Sequence, residues 1–215
     1  MNSNITQYFL LIFCLLALTT SCIDDVNQLS NWGNDPATND LPGNYHFLEK
    51  QGIKIFLPEK FNRVNNYDFK KYADSLGKNY AYSFNIHQPK EALYKDTNSY
   101  TYIDKSNQET YSITVLPQQK FVEADAKNLL TTIRGYQDNA IGKSKVNFKK
   151  QTAMFFDNSG VQIFKTVYKV ENKTLKTESF HYSYFLSNKN HTVFVNLTSP
   201  NEEENFDLYL QKMIL

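Results

Sequence analysis

The sequence predicts an α+β fold: an antiparallel β-sheet that ends in a four-strand meander and is covered by two main helices. Three observations lead to this prediction. Apolar and polar residues alternate in short segments bounded by Pro, Asn or Gly, which is typical of strands. Asn-containing turns separate the last four of these segments. Two other segments repeat apolar residues at a spacing of three to four, as amphipathic helices do.

The chain begins with an apolar run over residues 8–18, followed by small residues at 19–21 and then by Cys22. The run is about half the ~20 residues that a membrane-spanning helix needs, which favours a cleaved secretion signal. This segment resembles the signal and lipobox of bacterial lipoproteins, and the resemblance implies cleavage before Cys22 and its acylation. Two features depart from that pattern. No Lys or Arg precedes the run, and Thr19 stands where Leu is usual.

Cysteine usage favours acylation over the alternative, an ordinary secretory signal with an incidental Cys22. The chain has two cysteines, and Cys14 lies inside the signal, so the mature chain would keep Cys22 alone. A lone cysteine in a secreted protein needs an explanation, and acylation provides one. We therefore expect a protein anchored to the bacterial outer membrane, on its periplasmic or cell-surface face. Asp24 and Asp25 resemble the surface-export signal of Bacteroidota lipoproteins, with a solvated linker as the equal alternative.

Residues 22–45 are predicted to form the acylated Cys and a flexible tether, and residues 46–215 a single domain. Asn, Asp, Gly, Pro and Ser dominate the tether, so few apolar side chains offset the entropy of ordering it. Fully extended at ~3.3 Å per residue, it would reach ~70 Å. Trp32, the only tryptophan, is expected to dock on the domain or at the lipid interface. The 23 basic and 22 acidic residues nearly balance, which gives no indication of nucleic acid binding.

The domain is predicted to start with strands over 53–57 and 111–115, which Pro58 and Pro117 end. The meander follows later in the chain. Its strands are predicted over 152–156, 161–170, 179–186 and 192–198, with turns at 157–160, 171–174 and 187–190.

Two helices are predicted. The first covers 126–137 and ends before Gly142, and the second starts after Pro200. Asn201 is a natural N-cap for the second helix, with Glu204 in capping-box register. The apolar stripe of this helix comprises Phe206, Leu210, Met213 and Ile214.

Two stretches carry a resemblance to the PsbP-like fold: Gly-Ile-Lys-Ile-Phe-Leu-Pro at 52–58, and His-Thr-Val-Phe-Val-Asn-Leu-Thr-Ser-Pro at 191–200, which runs into a helix. The resemblance covers residues ~50–215 as a pattern of elements, and residues 67–105 depart from it most. It implies a binding or assembly module, because members of that fold class are mostly such modules and several are lipoproteins. No functional motif of the family is recognisable, so no site residue is carried over.

The sequence offers no recognisable catalytic or cofactor motif, and we expect no catalytic residue, no metal and no cofactor. The four histidines, none spaced as a metal ligand, are His46, His87, His181 and His191. His181 alternates outward on its strand and is predicted to lie at the surface. Glu202, Glu203 and Glu204 lie at the predicted N-terminus of the second helix, where the helix dipole favours negative charge. This structural role is sufficient to explain the three carboxylates without a cation site.

Aromatic residues make up 15% of the chain, and tyrosines cluster in its middle. Tyr82, Tyr94, Tyr100 and Tyr102 are candidates for a surface that binds a glycan or a protein partner. The alternative, which is favoured, places these tyrosines inside the β-sheet. The expected function is a membrane-anchored, non-catalytic binding or assembly module with an envelope protein partner and no nucleic acid. The alternatives are a glycan- or small-ligand-binding lipoprotein that serves a transporter, and an immunity-type lipoprotein.

Overall fold

The structure, a computed structural model, describes residues 32, 35–75, 98–141, 146–158, 160–173, 176–200 and 206–215. Within these residues the chain forms nine strands and three α-helices. In chain order they are β1 (Asn44–Leu48), β2 (Ile53–Leu57), β3 (Asn62–Val64), α1 (Asn66–Ser75), β4 (Asn98–Asp104), β5 (Glu109–Leu116), α2 (Ala126–Ile141), β6 (Val146–Asn158), β7 (Val161–Asn172), β8 (Thr177–Ser187), β9 (Thr192–Ser199) and α3 (Phe206–Gln211). No helix in this part of the chain is both long and apolar enough to cross a membrane.

Seven of the strands form one antiparallel sheet in the order β3-β4-β5-β9-β8-β7-β6, while β1 and β2 form a separate hairpin. The predicted four-strand meander is confirmed as β6 to β9. Gly160 has a φ of 84°, which the tight turn between β6 and β7 requires. The next turn was predicted at 171–174 and lies two residues further along, because Asn172 still pairs with Thr177.

The fold is dominated by its sheet, and the described chain does not contain both of the main helices that were predicted. The long helix is confirmed as α2, which has 16 residues. The C-terminal helix is described for six residues only, and its predicted cap residues, 201–204, lie outside the described chain. Ile214, predicted on the stripe of that helix, is extended instead. Its backbone exchanges hydrogen bonds of 2.8 and 2.9 Å with Lys54 of β2, which takes the chain end out of the helix.

The first core lies between one face of the sheet and a layer made of the β1–β2 hairpin and α3. The hairpin buries Leu48, Ile53, Ile55 and Leu57 in this core, and α3 buries Phe206 and Leu210. Lys165 of β7 and Asp207 of α3 form a buried ion pair of 2.8 Å inside it. Tyr184 donates a hydrogen bond of 2.8 Å to the same carboxylate. These two polar contacts, together with the burial of Phe206 and Leu210, hold α3 to the sheet.

The second core lies on the opposite face of the sheet, beneath α2. Ile133 of α2 and Phe121 pack there on a group of aromatic side chains, which are Phe164, Tyr168, Phe185 and Phe194. A row of polar residues on the same face is also buried. It crosses five strands in register through Thr166, Ser183, Asn196, Ser112 and Thr101. The sheet is thus buried on both faces.

Burial of the second face corrects the prediction for His181. Its side chain was predicted to lie at the surface, but it is 2% exposed and shares the face of the polar row. Burial lowers the pKa of His181 from 6.5 to about 4, and a hydrogen bond with the Asn196 side chain opposes part of that shift. His181 is therefore a neutral core residue.

The described part of the predicted tether lies against the domain. Trp32 packs on the first core as a partly buried side chain. Asp35 caps a single 3-10 turn at Pro36–Thr38, and the Lys212 ammonium donates 3.1 Å to the carbonyl of Thr38. Residues 23–31, which separate Cys22 from Trp32, lie outside the described chain.

Candidate functional site

The most promising site is a groove of about 530 Å³ between α2 and the β6 edge of the sheet. We call it the α2–β6 groove. Its volume falls within the ~300–1,000 Å³ that is usual for small-ligand sites. Among the described residues it is lined by Lys127, Leu130, Thr131, Arg134, Gln137 and Asp138 of α2, Asn147, Phe148 and Lys150 of β6, and Tyr168 of β7.

Helical periodicity places the α2 side chains along the groove. Lys127, Thr131, Arg134 and Asp138 recur at a spacing of three to four, so they share one side of the helix. Ile133, one position away from Arg134, faces the second core and is buried. The helix therefore uses one side to pack on the sheet and the neighbouring side to line the groove.

Gln137 provides the most informative atom of the groove. Its side chain is 3% exposed, and its Nε2 atom has no hydrogen-bond partner among the described residues. A buried amide without a partner costs ~1–3 kcal/mol, so native proteins usually satisfy it. Because this N–H donor is already shielded from water, it would not lose a hydrogen bond to water when it donates to an oxygen atom of a ligand.

The rim of the groove is cationic. Lys127, Arg134 and Lys150 are exposed and form no ion pair within the described residues, and Asp138 is the one lining carboxylate. Three positive charges against one negative charge give the described lining a net charge of +2. This balance favours an anionic ligand, because the rim attracts it and supplies charged donors.

Two aromatic rings form the wall that faces the helix. Phe148 and Tyr168 meet edge to face, with ring centroids 6.4 Å apart. Burial raises the pKa of the Tyr168 phenol, and the Arg134 guanidinium opposes part of that rise. The phenol is consequently neutral near pH 7. Amide, phenol, guanidinium and ammonium groups can hold a ligand through hydrogen bonds and charge.

A second groove, of about 490 Å³, lies at the other end of the sheet beside β3 and β4. Several of its polar groups already have partners. Arg63 lies 4.7 Å from the centroid of the Tyr100 ring and 3.8 Å from a carboxylate oxygen of Glu49. Tyr100 donates a hydrogen bond to Gln51. These contacts leave less for a ligand to satisfy than Gln137 does, so the α2–β6 groove is the stronger candidate.

The predicted tyrosine surface is corrected for the two members that the structure describes. Tyr100 is 7% exposed and Tyr102 is 0% exposed, and both pack in the first core. Tyr82 and Tyr94 lie outside the described residues. For Tyr100 and Tyr102 the alternative of strand packing is thus confirmed, since tyrosine packs well across strands.

The other candidates from the sequence do not assemble into a chemical site within the described chain. No three His, Cys, Asp or Glu side chains there are grouped so as to hold a metal ion. His46 is partly buried, and this burial lowers the pKa of its imidazole. The positive charge of Arg63 lowers the same pKa to a smaller extent. His191 lies directly before β9, and His87 and Cys22 are outside the described residues.

Sequence reasoning missed the α2–β6 groove. The stripe Lys127, Thr131, Arg134 and Asp138 is a pattern that a solvated helix face also shows. The available signal for the groove was Gln137, which lies at the boundary between this stripe and the apolar face of α2. A glutamine at such a boundary is buried together with the apolar face.

Comparisons with known proteins support the fold. No protein-family model matches the chain, and neither does any curated protein sequence. The solution structure of CyanoP, the cyanobacterial PsbP of Synechocystis sp. PCC 6803, is similar to this chain with a TM-score of 0.56 at 11% identity, over 81% of this chain and 92% of CyanoP. A protein of unknown function from Pseudomonas aeruginosa gives a TM-score of 0.34 at 8% identity, over 74% of this chain and 83% of that protein. The likeness to CyanoP confirms the predicted PsbP-like fold.

Proposed function

We propose that the protein is a lipid-anchored, non-catalytic binding module of the bacterial envelope that holds a small anionic ligand in the α2–β6 groove. The observation that supports this proposal most strongly is Gln137, a buried residue of a cationic groove whose Nε2 donor has no hydrogen-bond partner among the described residues. Among the alternatives from the sequence, this groove favours a small-ligand-binding lipoprotein. A transporter in the same membrane is the natural recipient of such a ligand.

The ligand chemistry follows from the lining. A carboxylate or phosphate group would lie at the rim near Arg134 and Lys150, and a hydroxyl or carbonyl oxygen would accept from Gln137. The Phe148 and Tyr168 rings offer an apolar wall for a sugar ring or a short chain. Acidic sugars combine these features, and they serve as probes of the site.

The binding test uses the mature chain with Cys22→Ser, which removes the acylation site. Chemical shifts and titration heats are measured with glucuronate, with glucose and with inorganic phosphate. We expect glucuronate to perturb residues of the groove and to bind more tightly than glucose. Arg134→Gln should weaken that binding about tenfold or more, since hydrogen bonds to charged groups contribute ~1.5–3 kcal/mol.

Lys149→Gln is the matched control for the binding test. Lys149 is next to Lys150 on β6, but its ammonium is paired with Glu171 at 2.5 Å. Its removal should leave glucuronate binding unchanged. If no probe perturbs the groove, or if both variants weaken binding equally, the proposal of a specific anion site is wrong.

Anchoring rests on the resemblance of residues 8–22 to a lipoprotein signal and on the lone mature Cys22. Mass spectrometry of the mature N-terminus tests it. We expect an acylated Cys22 as the first residue and a membrane-bound protein, and Cys22→Ala should abolish both. An unmodified Cys22 or an uncleaved signal would contradict the anchor.

A further inference from the structure

The outer face of the β1–β2 hairpin carries an apolar patch that is exposed in the described part of the chain. Tyr45, Phe47 and Ile214 are 53%, 46% and 53% exposed. They share one face, because Tyr45 and Phe47 are two residues apart on β1, and Phe47 pairs with Lys54, which in turn pairs with Ile214. We call these three residues and Lys54 the hairpin patch. Large apolar side chains that cluster at a surface usually mark a contact site.

Two lysines, Lys54 and Lys212, lie in or beside the hairpin patch. Lys54 lies inside it, between Phe47 and Ile214. The Lys212 ammonium lies 4.1 Å from the centroid of Phe56, the ring that Tyr45 meets edge to face at 4.9 Å. Aromatic rings together with lysines that keep their ammonium groups in water are the combination that settles at the surface of a bilayer with anionic lipids.

The chain enters the domain beside this patch. The ammonium of Lys212 that lies over Phe56 also donates to the carbonyl of Thr38, in the segment that leads back to Trp32 and Cys22. Nine residues, 23–31, separate Cys22 from Trp32. Fully extended at ~3.5 Å per residue, these ten steps span ~35 Å at most. An acylated Cys22 would therefore keep the hairpin patch close to the lipid surface.

We propose that the hairpin patch rests on the headgroup layer of the membrane that holds the lipid anchor, and that it orients the domain. The inference rests on the proposed anchoring of Cys22. A small patch is sufficient, because the acyl chains make the second contact intramolecular, at an effective concentration on the order of millimolar. The hairpin covers the first face of the sheet and α2 covers the second, so this orientation turns the α2–β6 groove away from the bilayer.

Fluorescence quenching tests the orientation in the acylated full chain. A Trp32→Phe background leaves a single tryptophan, which is introduced as Phe47→Trp, as Tyr45→Trp or as the control Val122→Trp. Val122 is 51% exposed and follows Phe121 of the second core, on the opposite side of the sheet. The proteins are reconstituted in vesicles of phosphatidylethanolamine and phosphatidylglycerol that contain brominated phosphatidylcholine.

Because interfacial side chains sit ~5–10 Å into the headgroup boundary, we expect brominated lipid to reduce fluorescence about twofold for Phe47→Trp and Tyr45→Trp, with little change for Val122→Trp. Equal quenching at all three positions, or none at the hairpin in an acylated protein, would overturn the orientation and leave the anchor intact. If the unacylated chain sediments as a dimer and Phe47→Lys abolishes that dimer, the hairpin patch is instead a contact between two copies of the chain. A Cys22 without acyl chains would remove the anchor itself, and mass spectrometry reports that failure separately.

Discussion

At the scale of single residues, the feature that distinguishes the α2–β6 groove from an ordinary cleft is the environment of Gln137. Its side chain is removed from water, and its Nε2 atom has no hydrogen-bond partner within the part of the chain that the structure describes. Such an arrangement costs stability in the unliganded state, and a ligand that accepts the hydrogen bond recovers that cost on binding. The unpaired Nε2 donor of Gln137 therefore lowers the stability of the unliganded protein and favours ligand binding.

Gln137→Leu tests that opposition. Leucine has a similar size, is a good helix former and removes the unpaired amide, so we expect the free energy of unfolding in urea to rise by about 1 kcal/mol. Binding of glucuronate should weaken in the same variant, because the donor is lost. Asn128→Leu, an exposed position of α2, controls for helix propensity and should leave binding unchanged. A less stable Gln137→Leu protein would mean that the amide contributes to the fold.

At the scale of elements, α3 shows how a short helix is held by its contacts. Six residues are too few for a helix to be stable alone in water. Asp207 pairs with Lys165 and accepts from Tyr184, so the helix is pinned to two strands. The apolar side chains of Phe206 and Leu210 pack around this polar contact.

Asp207→Leu should destabilise the protein by ~3–5 kcal/mol, because Lys165 keeps a buried charge without its carboxylate. The double variant Lys165→Met, Asp207→Leu should recover most of that loss, since an apolar pair of similar volume avoids burying either charge. Tyr184→Phe removes one hydrogen bond and should cost only about 1 kcal/mol. Urea denaturation measures all three. A double variant no more stable than Asp207→Leu would show that the charge pair itself is required.

The segment that enters the domain depends on a close backbone approach at Gly43. A Cβ atom at this position would collide with the carbonyl oxygen of Leu57 and would lie 2.8 Å from Cε1 of Phe56. Because a backbone oxygen cannot easily move aside, Gly43→Ala should cost ~1–3 kcal/mol through the strain of overpacking. Gly135→Ala has open space around it and is the matched control. We expect the control to be neutral or slightly stabilising in thermal unfolding, and equal effects of the two changes would contradict the steric argument.

At the scale of the whole molecule, local patterns predicted the meander, α2 and β2, because each depends on periodicity and turn chemistry within a few residues. Those patterns failed where distant parts of the chain meet. His181 was predicted outward from its alternation with apolar neighbours, and Phe185 was the one apolar residue of β8 that indicated a second layer over that face. Ile214 was assigned to a helix, because its pairing with Lys54 spans 160 residues. The α2–β6 groove depends on the same kind of distant contact between a helix and an edge strand.

Burial of both sheet faces gives the whole molecule a defined pH dependence. His181 has a pKa of about 4 in the folded protein and 6.5 as its ordinary value, so the unfolded chain takes up a proton at pH values where the folded protein does not. The free energy of unfolding should therefore fall as the pH drops from 6.5 towards 4. The expected contribution of His181 is about 3 kcal/mol, at 1.36 kcal/mol per pH unit. The lowered pKa of His46 acts in the same direction.

His181→Gln should make the free energy of unfolding depend less on pH, because a neutral amide replaces the imidazole. Among the described histidines, His181 has the most strongly lowered pKa. His191→Gln, at the partly buried residue before β9, is the matched histidine-to-glutamine control. Urea denaturation at a series of pH values between 4 and 7 provides the measurement. If the slope of His181→Gln equals that of the unmodified protein, the second face of the sheet is more accessible to water than its burial indicates.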